Sequence, residues 1–252
     1  MTLEEAAPRL DKTKSSLARV ETGKTRADVH LVRSMMDLYD HYDGTLIDLA
    51  REAVREAWWT KYGIADRGFL GMETEAAAEL EMSLIHIPGL LQTEAYMRAL
   101  FAQGLAEVRG LMQGNGVAAR LHRQRRLTDP DLPIELVAII DEAALRANIG
   151  GAEVMRAQLQ HLVRQARLST VTVQVLPSRD GAHLGMEGEF ILLTFPEDDD
   201  PDVLYISYIT GALHIENPEE VEGARLAFDH LRSKALSPSE SAAFIEQVSG
   251  EL

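Results

Sequence analysis

The chain has 252 residues, 46% hydrophobic and 26% charged, a formal net charge of −15 and no cysteine; this is the composition of a globular chain with one large domain or two ordinary ones. The missing cysteine excludes disulfides, thiolate metal sites and cysteine nucleophiles, and no apolar run approaches the ~20 residues that a membrane helix needs. The acidic excess argues against nucleic-acid binding over the whole surface, and the opening MTLEEAAPRL has neither the basic start nor the apolar core of a secretion signal, so a cytoplasmic location is expected.

Residues 2–40 read as three short helices. Thr2 with Glu5 forms a capping box for Leu3 to Leu10, and Asp11-Lys12 reads as a tight turn. Pro8 falls inside that first helix, where it removes a backbone hydrogen bond. Thr13 caps a second helix, Lys14 to Thr22, which Gly23 stops. Its Leu17 and Val20 face inward beside Ala18, leaving Lys14, Ser15, Ser16 and Arg19 outward. A third helix spans Val29 to Tyr39. Within residues 11–34, six basic residues (Lys12, Lys14, Arg19, Lys24, Arg26, Arg33) stand against three acidic ones, a local +3. The segment 187–202 is the reverse, with seven carboxylates and no base.

An amphipathic helix follows over 44–60, and KYGIADRGFLG (61–71), with three glycines, marks a boundary. The expected domains are therefore a head at 1–43, a connector at 44–70 and a body at 71–252. In the body, Leu80 to Ile87 reads as a strand stopped by Pro88-Gly89, Thr93 to Gln103 as a helix, and Gly114-Asn115-Gly116 as a loop. Val117 to Leu127 is a helix bearing Arg120, Arg123, Arg125 and Arg126. Ile134 to Ile140 is almost wholly apolar, as expected of a strand covered on both faces. Gly150-Gly151 precedes a helix to Leu168, and Val171, Val173 and Val175 alternate with polar residues at strand period. Three more strands (190–195, 203–209, 213–215) and two helices (218–235, 238–248) complete the chain, the last helix capped by Ser237 with Pro238 and Glu240 behind it. Strands clustered late, with helices at both ends, predict an α+β fold: an all-α head, then a mixed domain.

The head carries the sharpest functional signal. A helix-turn-helix needs a small residue where its helices cross, a tight turn, and polar and basic outward positions on the second helix. Ala7 supplies the first; Lys14, Ser15 and Ser16 sit where base edges are reached, and Arg19 and Lys24 where phosphates are. A plain helical hairpin carries the same pattern.

The stretch TLEEAAPRLDKTKSSLARVETGKTR resembles helices two and three of the Cro/repressor class of helix-turn-helix, often called XRE-like, above all in Ser-Leu-Ala-Arg-Val-Glu-Thr-Gly. IHIPGLLQTEAYMRAL, RLHRQRRL, DEAALR, QLQHL, VTVQVLP, GEFILLTF, VLYIS and ALSPSES resemble the large C-terminal domain of WhiJ-like regulators of filamentous soil bacteria. The resemblance implies a regulator of development or secondary metabolism, antitoxin-like, partnered by a small protein encoded nearby. XRE heads usually have a helix ahead of the capping-box threonine; this chain starts at Met1-Thr2, so an incomplete head is expected, with Leu3, Leu17 and Val20 exposed.

In the body, Gln92, Tyr96, Arg120, Arg123, Gln124 and Glu142 lie near strand ends and on the basic helix. If they converge, they suit an anionic ligand or an acidic partner through charge-assisted hydrogen bonds. The alternative for Thr93 and Asp141 is plain helix capping, and for the arginines a solvated face. His183 and Glu187 have the one ligand-like spacing among scattered histidines, in a glycine-rich loop that also reads as a simple turn. Neither a nucleophile elbow, a P-loop nor a dinucleotide glycine motif is present. No catalytic residue, metal or cofactor is expected. A DNA-binding homodimer is, joined through the 46–58 helix with Trp58 and Trp59 as anchors. The alternative is an enzyme or small-molecule sensor with a vestigial head.

Overall fold

A computed structural model of the chain describes residues 1–252 apart from 24, 26, 55–56, 65–67, 103–112 and 197–199. Two compact units divide at Trp58/Trp59.

The first unit holds four helices: α1 (Leu3–Arg9), α2 (Lys14–Glu21), α3 (Val29–Tyr39) and α4 (Gly44–Val54). Their ends are set by local chemistry. The Thr2 hydroxyl accepts from the Glu5 amide at 3.3 Å while Glu5 Oε2 accepts from the Thr2 amide at 2.9 Å, and α1 stops one residue after Pro8. Asp11 turns the chain with φ +52°, and Gly23 stops α2 with φ +68°. Thr13 and Asp28 cap α2 and α3. Ala6, Ala7, Leu10 and Leu17 form the core of this unit, with Leu3, Met35 and Leu38 against it. Leu17 is fully buried, contrary to its expected exposure, because α1 and α3 cover it. Val20 instead lines an apolar groove of about 360 Å³ with Val32, Met35, Met36, Leu46 and Ala50.

The second unit is built on a six-stranded mixed sheet in the order β3-β2-β1-β4-β5-β6, with β1 (Ala78–Ser83), β2 (Glu135–Asp141), β3 (Val171–Leu176), β4 (Phe190–Thr194), β5 (Val203–Tyr208) and β6 (Gly211–Ile215). The first three strands are parallel and the last three add as an antiparallel meander. With the helical first unit this is an α+β fold. The intervening and flanking helices are α5 (Phe69–Glu75), α6 (Glu94–Leu100), α7 (Gln113–Arg123), α8 (Glu142–Arg146), α9 (Ala152–Gln165), α10 (Pro218–Lys234) and α11 (Pro238–Glu251).

Every residue of β2 after Glu135 is buried, since it lies between β1 and β3 with helices on both faces. One face carries Leu136, Ala138 and Ile140 into a core with Leu91, Leu145, Met155, Leu159, Leu162 and Ile245; the other carries Val137 and Ile139 against Phe228 and Leu231 of α10. At Gly150, φ is +77° and a Cβ would stand 2.8 Å from that of Ala99, so the turn into α9 has no room for another residue.

Two local expectations are corrected. Strand β1 ends at Ser83 rather than reaching Ile87, because the amides of Leu84 and Ile85 turn away to Glu189 Oε1 at 2.8 and 2.9 Å. Gly114-Asn115-Gly116 is helical, the start of α7. Phe101 explains the glycine at 116, where a Cβ would approach its ring to 3.1 Å.

Candidate functional site

The centre of the sheet carries an unexpected charge. β1 is the middle strand, yet it presents Glu79 and Glu81 on one face, opposite the apolar Leu80 and Met82. Glu79 lies between Leu136 of β2 and Leu193 of β4, and Glu81 between Ala138 and Ile191. Glu79 is 1% exposed. The carboxyls of Glu73, on α5, and Glu81 are its acidic neighbours. Ser83 Oγ donates to Glu81 Oε1 at 2.9 Å. One oxygen of each acid, Glu79 Oε2 and Glu81 Oε2, is fully shielded and without a hydrogen-bond partner among the described residues.

Arg123 supplies the counter-charge. Its guanidinium grips Glu73 with two hydrogen bonds, Nε to Oε2 at 2.5 Å and Nη2 to Oε1, with side chains only 12% and 4% exposed. Its plane also lies 5.3 Å from the Phe69 ring centroid. Burial works against the charged guanidinium, but the carboxylates of Glu73, Glu79 and Glu81 outweigh it and hold the pKa up. Burial pushes the Glu79 carboxyl well above the usual carboxylate range, and the neighbouring Glu73 and Glu81 charges add to this. Glu81 rises to about 7, again through burial, with the Glu189 charge adding. One guanidinium thus faces three clustered acids, and burial favours the neutral form of Glu79 and Glu81.

The sequence-predicted ligand residues partner the protein's own backbone and side chains. Gln92 Nε2 donates to the Ile87 carbonyl at 2.6 Å and its Oε1 accepts from Arg120. Tyr96 is fully buried and its hydroxyl accepts from the Ile87 amide at 3.2 Å. Gln124 Nε2 donates to the carbonyls of Gln92 and Gly89, at 2.7 and 3.3 Å. Gln158 of α9 fastens the same loop, accepting from the Thr93 amide and donating to the Leu91 carbonyl, at 2.6 and 2.7 Å. Gln92, Tyr96, Arg120 and Gln124 do converge, and together they hold the irregular 87–92 segment. Arg123 is committed to Glu73.

Glu142 does not join them. It pairs with Arg146 and accepts from the Ser178 amide at 2.9 Å, and these bonds lower its pKa against a burial effect that raises it. Beside it, Asp141 caps α8 through the Ala143 amide at 2.7 Å and holds His183 Nε2 at 2.9 Å. The His183 loop is thus pinned to the end of β2, while Glu187 is exposed. Among the described residues, no group of three or more His, Asp or Glu is arranged to hold a metal ion.

In the first unit, Lys14, Ser15, Ser16 and Arg19 are exposed along α2. Lys14 pairs with Glu4, both side chains 61% exposed. Ser15 Oγ is 3.2 Å from Thr13 Oγ1. Lys24 lies outside the described residues. Sequence reading missed Glu73, Glu79 and Glu81 and the Asp141–His183 pair. The signal for the first was present in AELEMS, where two glutamates alternate with apolar residues at strand period.

An α+β domain on a mixed six-stranded sheet, with a buried carboxyl centre on its middle strand, fills most of the chain. Residues 66–247 match the family described as "Domain of unknown function (DUF5753)", and the chain belongs to that family. No curated protein matches it.

Proposed function

We propose that the chain is a DNA-binding transcription regulator of the XRE helix-turn-helix class, akin to WhiJ-like regulators, whose family domain binds a partner protein or an anionic ligand. The observation that carries this reading is the α1–α2 pair. Both helices are side-chain capped, Asp11 makes the turn between them, and Ala7 and Leu17 are buried, while Lys14, Ser15, Ser16 and Arg19 stay exposed on α2. An acidic chain with a basic helical face on its first unit suits a small DNA-reading head on a body that repels DNA. The reading includes a cytoplasmic homodimer and a small partner encoded nearby. A mobility-shift assay with the gene's own upstream DNA at several salt concentrations tests it: a salt-sensitive, sequence-dependent shift is expected, and equal affinity for unrelated DNA would overturn it.

The buried Glu79–Glu81 pair, with its unpartnered oxygens, favours a second reading as an enzyme or small-molecule sensor, because perturbed acids cluster at functional sites. Turnover of a nucleotide or ester by the purified chain, lost in Glu81→Gln, would establish it.

A further inference from the structure

Several arginines in this protein are held by internal partners. Arg51 pairs with Asp48, Arg98 with Glu94, Arg123 with Glu73, Arg146 with Glu142 and Glu251, and Arg225 with Asp202; Arg126 binds four backbone carbonyls. With 40 acidic residues against 25 basic ones, partners are plentiful. Among the arginines without an ion pair, Arg156, Arg164 and Arg167 stand together. All three border one groove of about 460 Å³ between α9 and α11, and none has an ion pair among the described residues.

The groove follows from how α9 packs. Its buried stripe (Met155, Gln158, Leu159, Leu162) faces the sheet, so Arg156, Gln160, Val163, Arg164 and Arg167 fall on the next face, toward α11. Arg156 and Arg164 stand about 12 Å apart along the helix axis. Arg167 follows the helix end, where cations also complement the dipole. Val163 and the buried Leu159 form an apolar floor. The far wall is low: α11 contributes Ser249 and Gly250, and space beside Gly250 is open to at least 4 Å from a would-be Cβ. Glu246 is the one acid lining it, leaving a local charge of +2 in a chain of −15.

We propose that this groove is a docking surface for an acidic, amphipathic segment of a partner protein. The spaced guanidiniums meet carboxylates by charge-assisted, bidentate bonds, and the apolar floor takes the adjoining apolar stripe of the segment. Nucleic acid fits less well, because its phosphates gain nothing from the apolar floor of Leu159 and Val163. The inference rests on the family domain being a partner-binding module and is independent of DNA binding by α2.

The test uses the full chain and a fluorescein-labelled 14-residue peptide with glutamates along one helical edge and leucines along the next, read by fluorescence anisotropy. The wild-type protein is expected to bind it in a salt-sensitive manner. Joint replacement Arg156→Gln, Arg164→Gln and Arg167→Gln should weaken binding at least tenfold with an unchanged melting curve, since these arginines make no internal ion pair; the three-lysine variant should recover part of the affinity. Four results would each overturn the proposal: no binding by wild type, equal binding by the glutamine variant, equal binding of a peptide with serine for leucine, or tighter binding of a 14-nucleotide oligothymidylate. Mobility shifts run on the same variant separate this from the DNA reading: operator affinity should be unchanged, and its loss would place the arginines against DNA instead.

Discussion

Helices α2 and α7 present similar basic runs, Lys14 to Arg19 and Arg120 to Arg126 including the turn that follows α7, and the fold treats them in opposite ways. On α2 the charged tips stand in water, and Lys14 meets only Glu4, itself exposed. On α7 and its following turn, Arg120 holds Gln92, Arg123 holds Glu73, and Arg126 ties together the carbonyls of Glu73, Ala76, Leu132 and Pro133. The same kind of side chain is thus left in water in one place and made an internal strut in the other. The difference lies in what α5, β1 and the 87–92 loop bring to α7, and among the described residues of the first unit nothing comparable covers the outer face of α2. A basic helix is evidence of a polyanion partner only once its arginines are known to be unpartnered, which is why Arg156, Arg164 and Arg167 carry more weight than the Arg120–Arg126 cluster.

The sharpest break in this comparison is Arg123→Ala. It strands the Glu73 carboxylate, 4% exposed, and should cost about 3–5 kcal/mol, since removing one partner of a buried pair leaves the other uncompensated. Circular-dichroism melting should show a fall of roughly 10 °C or failure to fold, and Arg123→Met with Glu73→Met should regain most of the loss. A melting point within 2 °C of wild type would show that the pair is not a strut.

The second effect is a pH dependence. Glu81 is raised from an ordinary value of 4.5 to about 7 by burial, and Glu79 is raised as well. The folded state then keeps protons that the unfolded chain has released, so stability is full below about pH 4.5 and falls as pH rises toward about 7. The Glu81 contribution is on the order of 3 kcal/mol. Denaturation between pH 5 and 8 should show this decline against any background from other groups, and Glu81→Gln should flatten it and be more stable than wild type at pH 8. An identical slope in the variant would refute the assignment.

Gln92→Ala ranks third. It deprives the Ile87 carbonyl of its donor and Arg120 of its acceptor, and should cost roughly 1–3 kcal/mol by chemical denaturation, with faster hydrogen exchange confined to the 87–92 amides. Arg19→Ala should have the smallest effect on folding, within about 0.5 kcal/mol, yet reduce operator affinity and lower the salt slope by about 1. A folding defect there with intact DNA binding would reverse the comparison between the two helices.

Much of the local structure was legible because its causes lie within a few residues of one another. Thr2 with Glu5 and Ser237 with Glu240 form the expected capping boxes, Thr13 and Asp141 cap where expected, and Gly23 stops its helix in the left-handed region. The almost wholly apolar run at 134–140 became a strand covered on both faces, and the alternating valines at 171–175 became β3.

What the tertiary structure alone decided was pairing at a distance. Glu73 and Arg123 are fifty residues apart, and Leu84 and Glu189 more than a hundred; no local pattern says which arginine finds a buried acid and which stays in water. β1 became the middle of the sheet only because β4 returned to pair with it, and that placement turned two strand-face glutamates into a buried carboxyl centre. Caps, turns and strand periods are short-range effects of each side chain on its own backbone. Burial of charge depends on which elements assemble around it, and only the folded sheet and its helices set that.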